Sequence, residues 1–420
     1  MLRIFAGNFR NFNHNYTNIL LMISVEEATR IIQSNLYKPE IITVPLEDAV
    51  GAILAAKVTA DRDFPPFDRA SMDGIAISAE AYTSGRRQFT VEGTQPAGVP
   101  QKQLSDPANC LEVMTGAVVP RGASLVVRYE DVTIANGVAT VNSDDYIPAQ
   151  NIHRKGSDVR EGDVLLLPGA FLSPAEIALL ASVGQSVVRI RRAPRTAVLS
   201  TGDELVEITA TPESHQIRRS NSYALSAALR QLGITASLHH LPDREDALRD
   251  GLAKILAESE LIIITGGVSK GKFDFVPAIL GELGVKRHFH GVAQRPGKPF
   301  WFGTAPEGKA CFALPGNPVS TYMCFYRYVQ PWLRASLGAP VRPLTAILTE
   351  DFTFIPPLTY FLQVRVSIHS GKLMAQPVPG GGSGDFANLG QVDGFLELPP
   401  ESTLFSAGEA FPLVPFRVFN

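Results

Sequence analysis

From residue 194 to residue 337 the chain alternates between two hydrophobic rhythms. Largely apolar runs occur at TAVLS (196–200), LIIIT (261–265) and KACFAL (309–314), with the more mixed TASLHHL (235–241) beside them. Between them lie SNSYALSAALRQLG, DREDALRDGLAKILAES and FDFVPAILGELG, and after them NPVSTYMCFYRYVQPWLRASLG, where apolar residues return at helical spacing. A short run that is apolar at nearly every position suits a strand covered on both faces, and helices between such runs supply the cover. The pattern predicts a three-layer αβα domain with a mostly parallel sheet over residues 193–338, with VKRHFHGVA (285–293) as a further strand.

Outside that span the rhythm changes. QFTVEG, CLEVMTG, SLVVRYEDV and VATVN are short β-type runs broken by Gly, Pro and Asn, and they predict a small β module over 63–145. Ser24 and Glu27 fit a capping box ahead of a helical stripe of Ala28, Ile31, Ile32 and Leu36. Ser173, Pro174 and Gly184 mark the N-cap, first turn and end of a second short helix. Residues 22–62 and 146–192 are therefore expected to form a mixed helical and β linking domain. LTAILTEDF, YFLQVRVSI, KLMAQPV, GFLELP and AFPLVPF, with the turn PGGGSGD, predict a C-terminal β-barrel over 339–420, a sandwich being the other arrangement such strands allow. The expected fold class is multidomain α/β plus β.

Composition narrows the partners. The 420 residues are 45% apolar and 19% charged with a net charge of −3, which suits a packed globular chain and gives no basic excess for nucleic acid. No apolar run approaches the ~18 residues of a membrane span. Cys110, Cys311 and Cys324 are scattered without metal-site spacing and are expected to be buried free thiols, as in a cytoplasmic protein. The first 21 residues have two Arg, many Asn and no acid, a faint likeness to a transit peptide. Met22 is the expected functional start, with residues 1–21 contributing nothing to function.

Ligands of open α/β sheets bind outside the carboxyl ends of the strands. Three such ends here are unusual: STGDEL (200–205), GGVSKGKFD (266–274) and PGNP (315–318). Gly266, Gly267, Gly271 and Gly316 let backbone N–H groups approach an oxyanion. RPGKPF (295–300) adds Arg295 and Lys298 across a tight turn, so that two cations face one ligand. Glu204 and Asp274 are oxygen ligands of the kind Mg²⁺ takes beside substrate phosphates. Each also has a plainer reading: Asp243 and Asp274 as N-caps, Asp203 and Glu204 as solvated turn acids. The shared chemical bias of three loops on one sheet edge points to phosphoryl or nucleotidyl chemistry. Asp61, Asp63, Asp68 and Asp73 crowd a Pro-rich loop, either as solvated turn acids or as a rigid loop presented to a site elsewhere. His239, His240, His288 and His290 lack metal-site spacing and read as structural.

FPPFDRASMDG, MTGAVVP, NIHRKGSDV, STGDEL, SNSYAL, TGGVSKGKFDF, RPGKPF and ALPGNPVS occur in this order. Together they resemble the molybdopterin molybdenumtransferase family, bacterial relatives of the catalytic E domain of gephyrin. The resemblance implies an enzyme that binds adenylylated molybdopterin and molybdate, hydrolyses the adenylate with a divalent ion such as Mg²⁺, and releases AMP and molybdenum cofactor. It also implies a homodimer in which the β module of one subunit faces the α/β domain of the other, carrying Asp73 to a shared site. A transient contact with a molybdopterin adenylyltransferase would deliver the substrate.

Carried over by motif, Asp73, Glu204, Asp243, Asp274, Arg295 and Lys298 are the candidate catalytic residues, with Asp274 and Glu204 at the metal. Substrate would be held by Thr115, Thr201, Gly202, Asn221, Gly266, Gly267, Ser269, Pro315, Gly316, Asn317, Pro318 and Ser383. Three positions depart from the family pattern. Arg295 stands where Lys is common, Arg219 where Asp is frequent, and Gln363 where Arg is usual, with Arg365 on the same strand face as a possible substitute. An adenylyltransferase, which the α/β domain alone resembles, and a non-catalytic scaffold are the competing readings. The flanking β modules and the SMDG loop favour the insertase over the first. The retained carboxylates argue against the second.

Overall fold

The computed structural model describes residues 22–268, 275–339 and 343–417. Its largest core belongs to the α/β domain. The six strands lie in the order Ala236–Leu241, Thr196–Thr201, Leu261–Thr265, Lys309–Leu314, Trp301–Ala305, Lys286–His290. The first four are parallel, and Trp301–Ala305 runs antiparallel to both of its neighbours. Alternate residues of the apolar runs feed two separate cores. Ala197, Leu199, Ile262 and Ile264 pack against Leu248, Leu252 and Ile255 of helix Glu245–Glu258 and Ile279 and Leu280 of helix Val276–Glu282. Val198, Leu261 and Ile263 face Leu225 and Leu229 of helix Ser220–Arg230, with Met323 and Trp332 beyond them. Each fully buried Leu or Ile contributes roughly 1.5–3 kcal/mol, so the central strands anchor the loops that follow them.

The helix that follows PGNP is not uniform. It runs as Pro318–Cys324, widens to a π segment over Phe325–Val329, and resumes as Gln330–Ser336. Pro331 has no N–H and its ring crowds the carbonyl one turn back, and the helix widens just before it, with the Gln330 N–H donating to Phe325 O.

Helix Val25–Gln33 buries Val25, Ala28 and Ile32 in the same core as Trp332, whose indole N–H donates to Asn35 O at 2.8 Å. Only half of its expected capping box forms. The Ser24 hydroxyl accepts from Glu27 N, but the Glu27 carboxylate turns to Arg30 at 2.6 Å. At Ser173 the box is complete, closed by Glu176. A three-stranded sheet of Ile41–Pro45, Val187–Arg191 and Ile53–Leu54 links this region to the β module, a six-stranded sheet around Ile75, Phe89, Leu125 and Val127.

In the C-terminal region strand Thr359–His369 pairs with both Lys372–Pro377 and Gly394–Leu398, which closes five strands into a barrel rather than a sandwich. The barrel is sewn to the α/β domain because Gln294 and Arg295 pair in parallel with Thr359 and Tyr360. The same junction holds Arg327, bidentate to Glu397 at 2.6 and 3.2 Å and bonded to Thr29 at 3.1 Å. All three cysteines are buried and free, and burial pushes the Cys311 thiol up to about 12. No helix among the described residues is long and apolar enough to cross a membrane.

Candidate active site

Register places the unusual loops side by side: Ser200 lies opposite Thr265, and Thr265 opposite Leu314. Gly202, Gly266 and Gly267 have φ of +139°, +97° and +66°. A Cβ on Gly266 would stand 2.7 Å from Thr201 O, and one on Gly267 2.9 Å from Thr201 Oγ1 and 2.8 Å from Val276. Both the backbone conformation and the space therefore require glycine, and the STG and GG loops touch through backbone. The Thr201 hydroxyl is buried beneath this contact with no hydrogen-bond partner among the described residues.

Asn221, in the first turn of helix Ser220–Arg230, is the clamp of the edge. Its Nδ2 donates to Thr265 Oγ1 at 2.9 Å and Gly316 O at 2.7 Å, and lies 3.3 Å from Thr321 Oγ1. The Thr321 hydroxyl in turn donates to Pro315 O and closes the PGNP turn. Asn317 reaches the other way, its Nδ2 donating to Ser383 Oγ at 2.8 Å, while Val319 N donates to Ser383 O at 3.2 Å. The GGGSGD turn of the barrel region is thereby fastened to the helix that begins at Pro318.

Between these parts opens a cleft of about 410 Å³. Arg295 and Lys298 are the charged side chains of its lining, which also includes Pro315, Asn317, Gln363 and Ser383. Among the described residues neither cation has a carboxylate within ion-pair distance. Two uncompensated positive charges over a polar, glycine-rich wall favour a polyoxygenated anion. Gln363 is 8% exposed, and its Oε1 is buried with no hydrogen-bond donor among the described residues. Arg365 is not part of the lining; it is exposed and its Nε donates to Gln391 O at 3.3 Å, so it does not substitute for the charge missing at Gln363. Arg219 is committed elsewhere, 2.7 Å from Glu207.

The acids lie at the other end of the same edge. Asp203 and Glu204 follow the second strand in sheet order, Asp243 follows the first, and Asp243 N donates to Asp203 Oδ1 at 3.1 Å. Three strand spacings, roughly 14 Å, separate the loop of the first strand from that of the fourth. An extended ligand lying across the sheet would meet carboxylates, then the glycine turn, then PGNP and the cations. Asp274 and Ser269 lie outside the described residues. Among the described residues no group of three or more metal-ligating side chains converges.

Asp73 and Thr115 are together but apart from this edge. Thr115 donates to Asp73 Oδ1 from its backbone N at 2.6 Å and its hydroxyl at 2.8 Å, which holds the Asp73 carboxyl below the usual range. Neither has a hydrogen bond or ion pair to the α/β loops of its own chain among the described residues. Asp63 and Asp68 are clips. Asp68 accepts from Lys155 N at 2.8 Å and pairs with Arg154, and Asp63 accepts from Glu161 N at 3.0 Å. The Arg154 and Lys155 contacts of the NIHRKGSDV segment thus rigidify the Pro-rich loop. The histidines are structural: His288 bonds Thr304 at 2.8 Å and His290 reaches Val268 O at 2.9 Å, just past the glycine pair. Thr321 escaped sequence reasoning because nothing local sets it apart from an ordinary core residue.

The sheet edge, its glycine cradle and the unpaired cations define an α/β protein that receives an anionic, oxygen-rich ligand across its strand ends. Comparison with known proteins makes that class specific. Residues 23–184 match the MoeA N-terminal region (domain I and II), 197–335 the probable molybdopterin binding domain, and 345–416 the MoeA C-terminal region (domain IV). A molybdopterin molybdenumtransferase of Synechocystis is 43% identical over 93% of this chain and 99% of its own. One of Staphylococcus epidermidis is 31% identical over 93% and 95%. Two structures of a molybdopterin biosynthesis MoeA protein from Pyrococcus horikoshii match with TM-scores of 0.80, at 30% and 28% identity, covering 94% of this chain and 100% of theirs. The chain belongs to the molybdopterin molybdenumtransferase family.

Proposed function

We propose that this chain inserts molybdenum into molybdopterin: it binds adenylylated molybdopterin along the sheet edge, takes molybdate in the cationic cleft, and releases AMP and molybdenum cofactor. The observation that carries the reading is the cleft in which Arg295 and Lys298 stand unpaired beside PGNP and Ser383. A tetrahedral dianion there is met by charge from two sides, with the Ser383 hydroxyl and the glycine-rich backbone as neutral donors. The names of relatives that cover nearly the whole chain agree with it.

The glycine turn and PGNP hold the phosphoanhydride and pterin parts of the substrate. Hydrolysis breaks the anhydride P–O bond, with the oxygen of water ending on phosphorus. Mg²⁺ fits the acid end, where Glu204, with Asp203 and Asp243 nearby, would hold it, Asp274 being the further carboxylate that the motif supplies; bound there, it would neutralise phosphate charge. We further propose that the enzyme is a cytoplasmic homodimer, in which the rigid loop carrying Asp73 completes the site of the second subunit. A molybdopterin adenylyltransferase would hand over the substrate.

The test is a single-turnover reaction with adenylylated molybdopterin, molybdate and Mg²⁺, following AMP and cofactor together. AMP release that depends on molybdate and is accompanied by cofactor supports the reading. Binding of the nucleotide with no release under any oxyanion would leave a scaffold.

A further inference from the structure

Gln294 is a polar residue with no exposure at all, in a position that an apolar side chain of the same size would fill. Its amide is used at both ends. The Tyr328 hydroxyl donates to Oε1, and Nε2 donates to Gly297 O at 3.1 Å and lies 3.6 Å from Cys324 Sγ. Gly297 is the glycine of the RPGKP turn, with φ of +90°. A Cβ there would lie 2.7 Å from both Cys324 Sγ and Gln294 Nε2. The turn is therefore seated directly on the helix that begins at Pro318, with Gln294 as the gasket.

Tyr328 belongs to the π segment of that helix, and burial keeps its phenol protonated, so it can act as the donor. Its ring is held 4.8 Å from Phe300, and the neighbouring Arg327 is locked to Glu397 and Thr29. A chain of contacts thus runs from the junction of three regions, through the π segment and Gln294, to the carbonyl beneath the two cations. The flanking backbone is held by Gly291 N to Phe300 O at 2.8 Å, Val292 N to Lys298 O at 3.0 Å and Phe300 N to Gly297 O at 3.2 Å, and by the pairing of Gln294 and Arg295 with Thr359 and Tyr360, but of these only the Phe300 bond reaches the Gly297 carbonyl.

We propose that Gln294 and Tyr328 are positioning residues that fix the RPGKP turn, so that Arg295 and Lys298 address one anion together. The inference rests on the cationic cleft being the oxyanion site. Its physical basis is an asymmetry: replacing both partners of the Tyr328–Gln294 hydrogen bond by apolar groups of like shape leaves neither unsatisfied, and Gly297 O, which loses Gln294 Nε2, keeps Phe300 N as a donor, whereas geometry that depended on the amide is lost. A merely structural pair behaves differently, costing stability and sparing the ligand.

The experiment compares the full-length wild type with the double variant Gln294→Met, Tyr328→Phe and the single variant Tyr328→Phe. Molybdate binding is measured by equilibrium dialysis, and amide hydrogen exchange over residues 291–301 is measured without ligand. The double variant is expected to melt close to wild type, to exchange faster across the turn, and to bind molybdate about tenfold more weakly, the equivalent of one hydrogen bond. Tyr328→Phe is expected to move both readouts the same way, and it decides the matter if the double variant fails to fold. Wild-type affinity together with wild-type exchange in a variant overturns the proposal. If the wild type shows no saturable molybdate binding, the cleft assignment fails, and hydrogen exchange still decides whether the relay holds the turn.

Discussion

Asn221→Ala tests whether the sheet edge is held as described. The substitution removes the donor shared by Gly316 O at 2.7 Å and Thr265 Oγ1 at 2.9 Å, and leaves the PGNP turn held by Thr321 and, on its far side, by the Asn317–Ser383 bond. Ala is a good helix former, so helix Ser220–Arg230 itself does not suffer. Two lost bonds of about 1 kcal/mol each, partly offset by water because Asn221 is half-buried, give an expected cost of about 1–2 kcal/mol. In a domain of this size that corresponds to a fall of roughly 3–8 °C in melting temperature. The functional cost should be larger, because the turn bearing Asn317 and Pro318 loses its register to the glycine loop, and displacements near 1 Å can cost up to about 100-fold in rate. Asn221→Asp keeps the shape but turns an acceptor toward the Gly316 carbonyl, so it should be worse than Ala. Differential scanning fluorimetry and single-turnover AMP release read the two effects. A variant Asn221→Ala with wild-type melting and wild-type turnover would refute the clamp.

Other outcomes follow from the same geometry. Gln363→Leu removes an acceptor that is buried without a donor among the described residues, so it should leave stability unchanged or raise it by about 1 kcal/mol, while weakening molybdate binding by dialysis if a water bound with the anion supplies the missing donor. Glu397→Ala strands the buried Arg327 guanidinium and is expected to cost about 3–5 kcal/mol in urea unfolding. Burial would raise the Glu260 carboxyl, but the Arg192 guanidinium and the Arg195 N–H outweigh it and lower it from 4.5 to about 2. That contribution, on the order of 3 kcal/mol, is complete above the unfolded value and is lost as pH falls from about 4.5 toward 2. Glu260→Gln should therefore flatten the acid limb of the stability profile, and an unaltered limb would count against the assignment.

The α/β sheet was legible because strands covered on both faces must be apolar at every position, and LIIIT and TAVLS leave no other reading. The Gly266–Gly267 turn was legible for a related reason, since two glycines after a buried strand signal backbone that must come close to something. What depends on distant pairing was not legible. The stripe of Val25, Ala28 and Ile32 announces an apolar face but not that Trp332 lies beneath it. Alternation in the C-terminal strands allows barrel or sandwich, and the choice is made by the 11-residue strand Thr359–His369, long enough to pair on both sides. Asp63 and Asp68 resembled site acids until their partners 86 to 98 residues away came into view. Pro331 was visible, but the π turn it accompanies, and the reach this gives Tyr328, depend on what the helix packs against.

The central claim is that the oxyanion sits between the two cations. Crystals soaked in tungstate, a near-isostere of molybdate, would show this directly through anomalous scattering. A peak in the cleft within bonding reach of Arg295, Lys298 and Ser383 is the predicted result. A peak confined to the acid end, or to the β module around Thr115, would contradict it.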